Sequence, residues 1–455
     1  MSQKTVNSSM SRETLQLRLL KTNLAFFALL LLGTTWQLWT PQTRFPQIPL
    51  FEWVSALPAG IDWLTLTIML TTAGCLLLFS VVPLCLRKPA PEPGVNWQRI
   101  CGLLFLVAYA VSVLFDQHRL QPWTYQFALG LLLLTSLTPS RAIRLLRLFV
   151  ISIYVYSALS KCDASFVQTL GRQLAEGLFS SIGISTAFWS PKTLGWIAAT
   201  FPMGELLVAA GLFFRRTRKP ALVAAIGMHV CLMLAIGPWG LNHYQGVLIW
   251  NVYFIIQDLL LFTRNPTLDR PRAVKDDAQL EAERLAPVRV PGIERVPLLL
   301  VWLAILAPLF EPTGYFDHWP AWGLYASRHD RVVLLIDEQA RAELPASLQP
   351  FVDPPQPLST WCRVRVERWS LAELGAPLYP QARFQLGVAI GVGRMLESQA
   401  PAAEGTPRIR ILFEDAADRW TGKRKVSEYT GLKEIDALSD RFWLNTLPRP
   451  VALAD

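Results

Sequence analysis

Nine stretches of this chain are apolar enough to be read as bilayer spans, at residues 23–39, 63–86, 100–115, 125–137, 145–161, 194–214, 221–237, 245–262 and 296–310. No other feature constrains the fold as much. Inside hydrocarbon every backbone N–H and C=O must be bonded within the protein, so only helices and closed barrels can span. Apolar runs of this length, without period-two alternation, select helices. Two of them, 125–137 and 296–310, fall short of the roughly 20 residues that a straight crossing takes. The composition agrees, with 52% of residues hydrophobic, 17% charged and 17 Trp to furnish interfacial belts.

The net charge of +9 is distributed in the wrong way for a nucleic-acid binder, and no nucleic-acid-binding fold signature is present. Basic residues stand in short clusters between the apolar runs. Arg87, Lys88 and Arg99 form one; Arg141, Arg144 and Arg147 a second; Arg215, Arg216, Arg218 and Lys219 a third; the linker 263–295 a fourth. These fall in alternate loops. The intervening loops hold few cations, apart from 161–192, where acids accompany them. By the positive-inside rule this alternation predicts nine crossings. Residues 1–22 would be cytoplasmic and 312–455 extracytoplasmic. The first run follows a long basic segment and lacks a small-residue cleavage site, which reads as a retained span.

The expected fold is therefore an α-helical polytopic membrane bundle of about nine transmembrane helices with a small C-terminal α+β domain. Eight spans occupy 23–262, a cytoplasmic linker 263–295, the ninth span 296–311 and the extracytoplasmic domain 312–455. The expected location is the plasma (inner) membrane, with the lipid bilayer as first partner. In the tail, 331–337, 361–369, 383–392 and 408–414 are short β-branched or alternating runs that read as strands, and 432–444 reads as an amphipathic helix. The tail carries no catalytic signature. The six cysteines contain no CxxC, and a Cys162–Cys362 bridge is the only pairing worth weighing. His229 and Cys231 are two apart on a helix and point in different directions, which argues against a metal site.

One span differs from the rest. In RLFVISIYVYSALSKCDASF, residues 147–166, Tyr154, Ser157 and Lys161 share a helical face, while Ser152, Tyr156 and Ser160 form a second row. Polar groups cost several kcal/mol in hydrocarbon when unsatisfied, so this helix reads as the inner wall of a bundle. Lys161 has two readings. It snorkels to the headgroups, or it sits in a partly dry cavity where desolvation frees a neutral amine to act as a general base. Glu205 lies mid-span next to Gly204 and just after Pro202, and buried acids in spans line a pathway or meet a partner. His229, at similar depth by helical rise, is the expected partner: the two should bond or share one cavity. Asn251 is read as interhelical glue or a ligand contact, and Trp250 as a pocket wall or a lipid-facing ring. The loop DQHRLQPWTYQF, 116–127, with Asp116 and Trp123, suits either a re-entrant turn over a cavity or an interfacial belt.

With those residues in view, the stretch from 100 to 262 resembles the vitamin K-dependent gamma-carboxylase family. It is most similar to the related horizontally transferred transmembrane (HTTM) domains, with the DoxX/MauE group as more distant kin. YVYSALSKCDASF matches the family's helix-ending segment, in which a lysine precedes a hydrophobic residue, an aspartate, an alanine and an aromatic. The resemblance places Lys161 on the carboxylases' base for quinol oxygenation and Asp163 on the acid that follows. GELLVAAGLFF followed by two arginines, with His229 in the next span, resembles the family's acid–arginine–histidine order. Trp123 stands about where carboxylases carry a loop histidine, and Cys162 replaces an aliphatic residue. The resemblance implies a quinone-type lipid cofactor, with Lys161, Glu205 and His229 in catalytic roles. Tyr154, Ser157, Asp116, Trp123, Trp250 and Asn251 would then shape the cofactor pocket.

Two function classes follow. One is a membrane enzyme acting on a quinone or quinol. The other is a non-catalytic scaffold or assembly factor whose extracytoplasmic domain binds a protein partner. A lipid-sized pocket reached by Lys161 separates the first from the tightly filled bundle of the second.

Overall fold

The computed structural model describes residues 12–86, 97–263, 292–399 and 407–450. Its helical part runs α1 (Arg12–Thr34), α2 (Gly60–Leu86), α3 (Trp97–Phe115), α4 (Pro122–Ser136), α5 (Pro139–Leu159), α6 (Ala164–Gln168), α7 (Leu170–Ser181), α8 (Pro191–Phe213), α9 (Arg218–Ile236), α10 (Gln245–Phe262) and α11 (Gly292–Leu306). Among the described residues eight helices are long and apolar enough to cross a membrane, namely all of these except α4, α6 and α7.

The shortfall at α4 has a physical reason. PWTYQFALGLLLLTS is apolar all round, and every residue of it except Tyr125 is buried. A helix enclosed by protein on all sides needs no lipid-matched length. It nevertheless returns along α3: Arg99, near the start of α3, donates to the Ser136 carbonyl at the end of α4 (3.1 Å). Proline at the first helical position starts α4, α5 and α8. Ser190 also caps α8, its hydroxyl accepting from Thr193 N at 3.1 Å. The run expected over 145–161 ends as helix at Leu159, and Lys161 lies in the turn that follows. Asp163 then caps α6 by accepting from Phe166 N at 2.8 Å.

The C-terminal part carries a four-stranded antiparallel sheet, β1 (Arg331–Asp337), β2 (Trp361–Arg363), β3 (Ile409–Glu414) and β4 (Val426–Thr430), in the order β2-β1-β3-β4. Two expected strands are corrected. Residues 361–369 keep strand only to Arg363 and continue into helix α12 (Val366–Leu374). Residues 383–392 lie inside α13 (Ala382–Gln399), which is buried along most of its length. An unbroken apolar run does not distinguish a buried helix from a strand by period. The glycines of GVAIGVG set how closely α13 is packed: a side chain at Gly387 would collide with the Thr446 carbonyl, and one at Gly391 would press on Pro46. The helix expected over 432–444 is a short α14 (Leu432–Asp436) followed by a 3-10 turn, Ala437–Arg441.

The 116–121 loop joins the two parts, a role that neither of its two readings anticipated. Asp116, Gln117, His118 and Arg119 are all buried. Arg119 donates to Asp62 Oδ1 (2.5 Å), the Leu38 carbonyl (2.9 Å) and the Thr40 carbonyl (3.0 Å). Gln117 donates to the Asn445 carbonyl (2.7 Å) and accepts from Arg383 Nε (2.7 Å), while His118 Nε2 lies 2.8 Å from the Pro377 carbonyl. Arg383 also forks onto Asp317. Helix bundle and sheet thus share one continuous core.

Candidate functional site

Between the bundle and the sheet-bearing part lies a cavity of about 1330 Å³, larger than the roughly 300–1,000 Å³ of sites for drug-sized ligands. Its walls are largely apolar. Along α8 they run from Thr200 to Phe214 and along α9 from Ala221 to Ala235, each about 21 Å at 1.5 Å per residue. Leu207 and Phe214 line it and are also exposed on the side of the bundle, so it opens laterally. Its roof is Trp319, Gly323–Ala326 and His329, together with Leu371, Pro377, Leu378 and Pro380. Trp322 (φ 63°) and Tyr325 (φ 57°) hold left-handed backbone there, a strained state for bulky residues. Trp322 is anchored by an edge contact to Phe149 and a tilted contact to Tyr125, with ring centroids 5.6 and 5.3 Å apart. Burial pushes the roof residue His329 down to about 3, leaving a neutral imidazole.

Two polar clusters face this space. In the first, Lys161 Nζ reaches back one helical turn to Ser157 Oγ (2.7 Å) and forks onto Glu205 Oε1 (2.7 Å) and Oε2 (2.8 Å). All three ammonium protons are committed. The side chains are 5% and 16% exposed, so the lysine does not snorkel to a surface. In the second, Tyr154 OH stands 2.7 Å from His229 Nε2 and 2.5 Å from Asp258 Oδ2. His229 Nδ1 faces Asn251 Oδ1 (2.7 Å), and Asn251 Nδ2 donates to the Val247 carbonyl (2.8 Å).

The cavity therefore brings together Lys161, Glu205, His229, Tyr154, Ser157, Trp123, Trp250 and Asn251. Glu205 and His229 share it without bonding to each other. Glu205 is engaged by Lys161 instead, because the lysine, in the turn after α5, extends its side chain back to the level of Ser157, where the carboxylate of α8 meets it. Trp250 is a wall, its indole donating to Gln126 Oε1 (2.8 Å). Asp116 is not part of the lining; its Oδ1 accepts from His118 N (3.0 Å) within the docking loop. Asp163 is spent on the α6 cap. Cys162 and Cys362 are both free thiols. Asp258, absent from the sequence reading, is fully buried in α10. The signal that would have found it is the one used for Glu205, an acid inside an apolar span.

Comparisons with known protein families, with curated proteins and with solved structures give no match to this chain. The eight apolar helices are compatible with an integral membrane protein, and the site's chemistry is read from its own geometry. Its donor set suits an amphiphile: a long apolar trough for a tail, and at one place an ammonium, a carboxylate and a hydroxyl.

Proposed function

We propose that this chain is an integral membrane protein whose cavity takes a membrane-resident amphiphile of the quinone type, and that Lys161 and Glu205 exchange protons with its head. The observation that carries this reading is the Lys161–Glu205 pair opening into a lipid-sized apolar cavity. The resemblance of 154–166 to gamma-carboxylase-like transmembrane domains points the same way. In the proposed topology α4 is the ninth crossing, since it returns along α3. The basic turns at Arg141 and at Arg215–Lys219 then face the cytoplasm, and the sheet roofs the cavity on the outside.

A quinol supplies, when bound, hydroxyl protons and a pair of electrons. Moving one proton across the 2.7 Å link from Lys161 to Glu205 leaves two neutral groups, and the neutral amine can take a proton as general base. Ser157 holds the amine in place, and the lateral opening along α8 and α9 admits the tail directly from the bilayer.

Decyl-benzoquinone titrated into the protein in detergent should quench part of the tryptophan fluorescence saturably, through Trp123 and Trp250. A Cβ at Gly204 would meet nothing within 4 Å, so Gly204→Leu adds bulk at the cavity wall beside Glu205. That variant should lose the saturable phase. Equal, linear quenching of both proteins would refute the reading and favour the scaffold.

A further inference from the structure

The hydrogen bonds around His229 permit few proton arrangements. Asn251 Nδ2 must face the Val247 carbonyl, because the flipped amide would set two oxygens against each other at 2.8 Å. Asn251 Oδ1 therefore accepts from His229, and Nδ1 of the ring carries a proton. The remaining links run from Nε2 to Tyr154 OH and on to Asp258 Oδ2, at 2.7 and 2.5 Å. Each must hold one hydrogen, and the tyrosine has only one to give.

With Tyr154 a neutral phenol, two arrangements satisfy both links. In one, Asp258 is a carboxylic acid donating to the tyrosine oxygen, Tyr154 donates to Nε2, and His229 is neutral. In the other, His229 is an imidazolium donating to the tyrosine oxygen, and Tyr154 donates to an Asp258 carboxylate. They differ by one concerted shift. The proton of Asp258 Oδ2 passes to the Tyr154 oxygen as the tyrosine's own proton passes to His229 Nε2, and the tyrosine ends unchanged.

We infer that Asp258, Tyr154 and His229 form a proton relay that moves one proton from Asp258, in the protein interior, to the ring of His229 in the cavity wall, placing a positive charge there while both ring nitrogens stay bonded to Tyr154 and Asn251. Tyr154 and His229 line the cavity and Asp258 does not. Oδ1 of Asp258 is buried and has no partner among the described residues, so the carboxyl has a free oxygen for recharging. Asp258 is one turn from the end of α10 that leads into the basic linker, so in the proposed topology the Asp258 end of the relay lies in the cytoplasmic half of the bundle. Its service to a bound quinol rests on the proposed function; the relay itself rests on the hydrogen bonds alone.

The test needs no ligand. Histidine-labelled protein is examined by nitrogen NMR, with His229 assigned by the signal lost in His229→Gln or by elimination using single variants of the other histidines. The acid C=O stretch of Asp258 is identified by its loss in Asp258→Asn. His229 should show Nδ1–H in every form. As temperature displaces the equilibrium, its imidazolium signal and the Asp258 acid band should change by equal and opposite amounts, and Tyr154→Phe should abolish that coupling. An Nε2–H neutral tautomer, or signals that change independently in the wild-type protein, would overturn the relay. If the quinone titration fails while this coupling holds, the proposed ligand is wrong and the relay stands.

Discussion

Lys161 Nζ lies 2.7 Å from Glu205 Oε1 and 2.8 Å from Oε2, joining the turn after α5 to the middle of α8 across 44 positions of sequence. A bond between two nearly enclosed charges is specific because neither can be left alone. Removing one partner of such a pair typically costs about 3–5 kcal/mol, whereas replacing both with apolar residues is often neutral. Glu205→Gln should therefore destabilise the protein by an amount in that range, and Lys161→Met combined with Glu205→Leu should restore most of the loss. Reversible unfolding in mixed micelles measures both. Additive losses would mean that the pair contributes no coupling.

How much of this site was legible in advance differs from residue to residue. Tyr154, Ser157 and Lys161 announce themselves by spacing, since i, i+3, i+7 puts them on one face whatever surrounds the helix. Partner choice was not legible. Depth counted from helix ends places Glu205 level with His229, but side-chain direction decides the contact, and Lys161 reaches back a full turn to take the carboxylate. In the sheet-bearing part, RIRILF reads correctly as β3 because one face is buried and the other is not. FQLGVAIGVG misleads because α13 is covered on all sides and its glycines mimic alternation. VSEYT, the half-exposed edge strand β4, carried no pattern strong enough to read.

The docking loop should show two opposed pH linkages. Burial pushes the Asp116 carboxyl up from 3.8 to about 7 and the His118 imidazole down from 6.5 to about 4. Folded Asp116 keeps a proton that the unfolded chain has released, so its contribution to stability falls as pH rises from about 4 to about 7. Folded His118 refuses a proton that the unfolded chain accepts, so its contribution falls as pH drops from 6.5 to about 4. In the wild-type protein the two trends offset each other over the shared interval. Asp116→Asn should expose the histidine trend, with Tm falling on acidification. His118→Gln should expose the aspartate trend, with Tm falling as pH rises toward 7. If both variants keep the wild-type profile of Tm against pH, these groups do not titrate as described.

Orientation is open to a direct check. A reporter fused after Arg270 should be active in the cytoplasm, and one at the C-terminus should be active only outside it. Both on the same side would remove α11 as a crossing, and the reversed pattern, Arg270 outside and the C-terminus inside, would remove α4; either result takes away the external roof over the cavity.

The central claim is that a quinone-type head sits at Lys161 and Glu205 with its tail along α8 and α9. The most direct measurement is photolabelling in membranes with an azido-benzoquinone carrying a decyl tail, followed by peptide mapping. Label should concentrate on residues 153–161 and 200–214, compete with unlabelled decyl-benzoquinone and disappear in Gly204→Leu. Label scattered over exposed apolar residues of other helices, such as Phe26, Leu78 and Leu103, with no competition and no change in the variant, would contradict it.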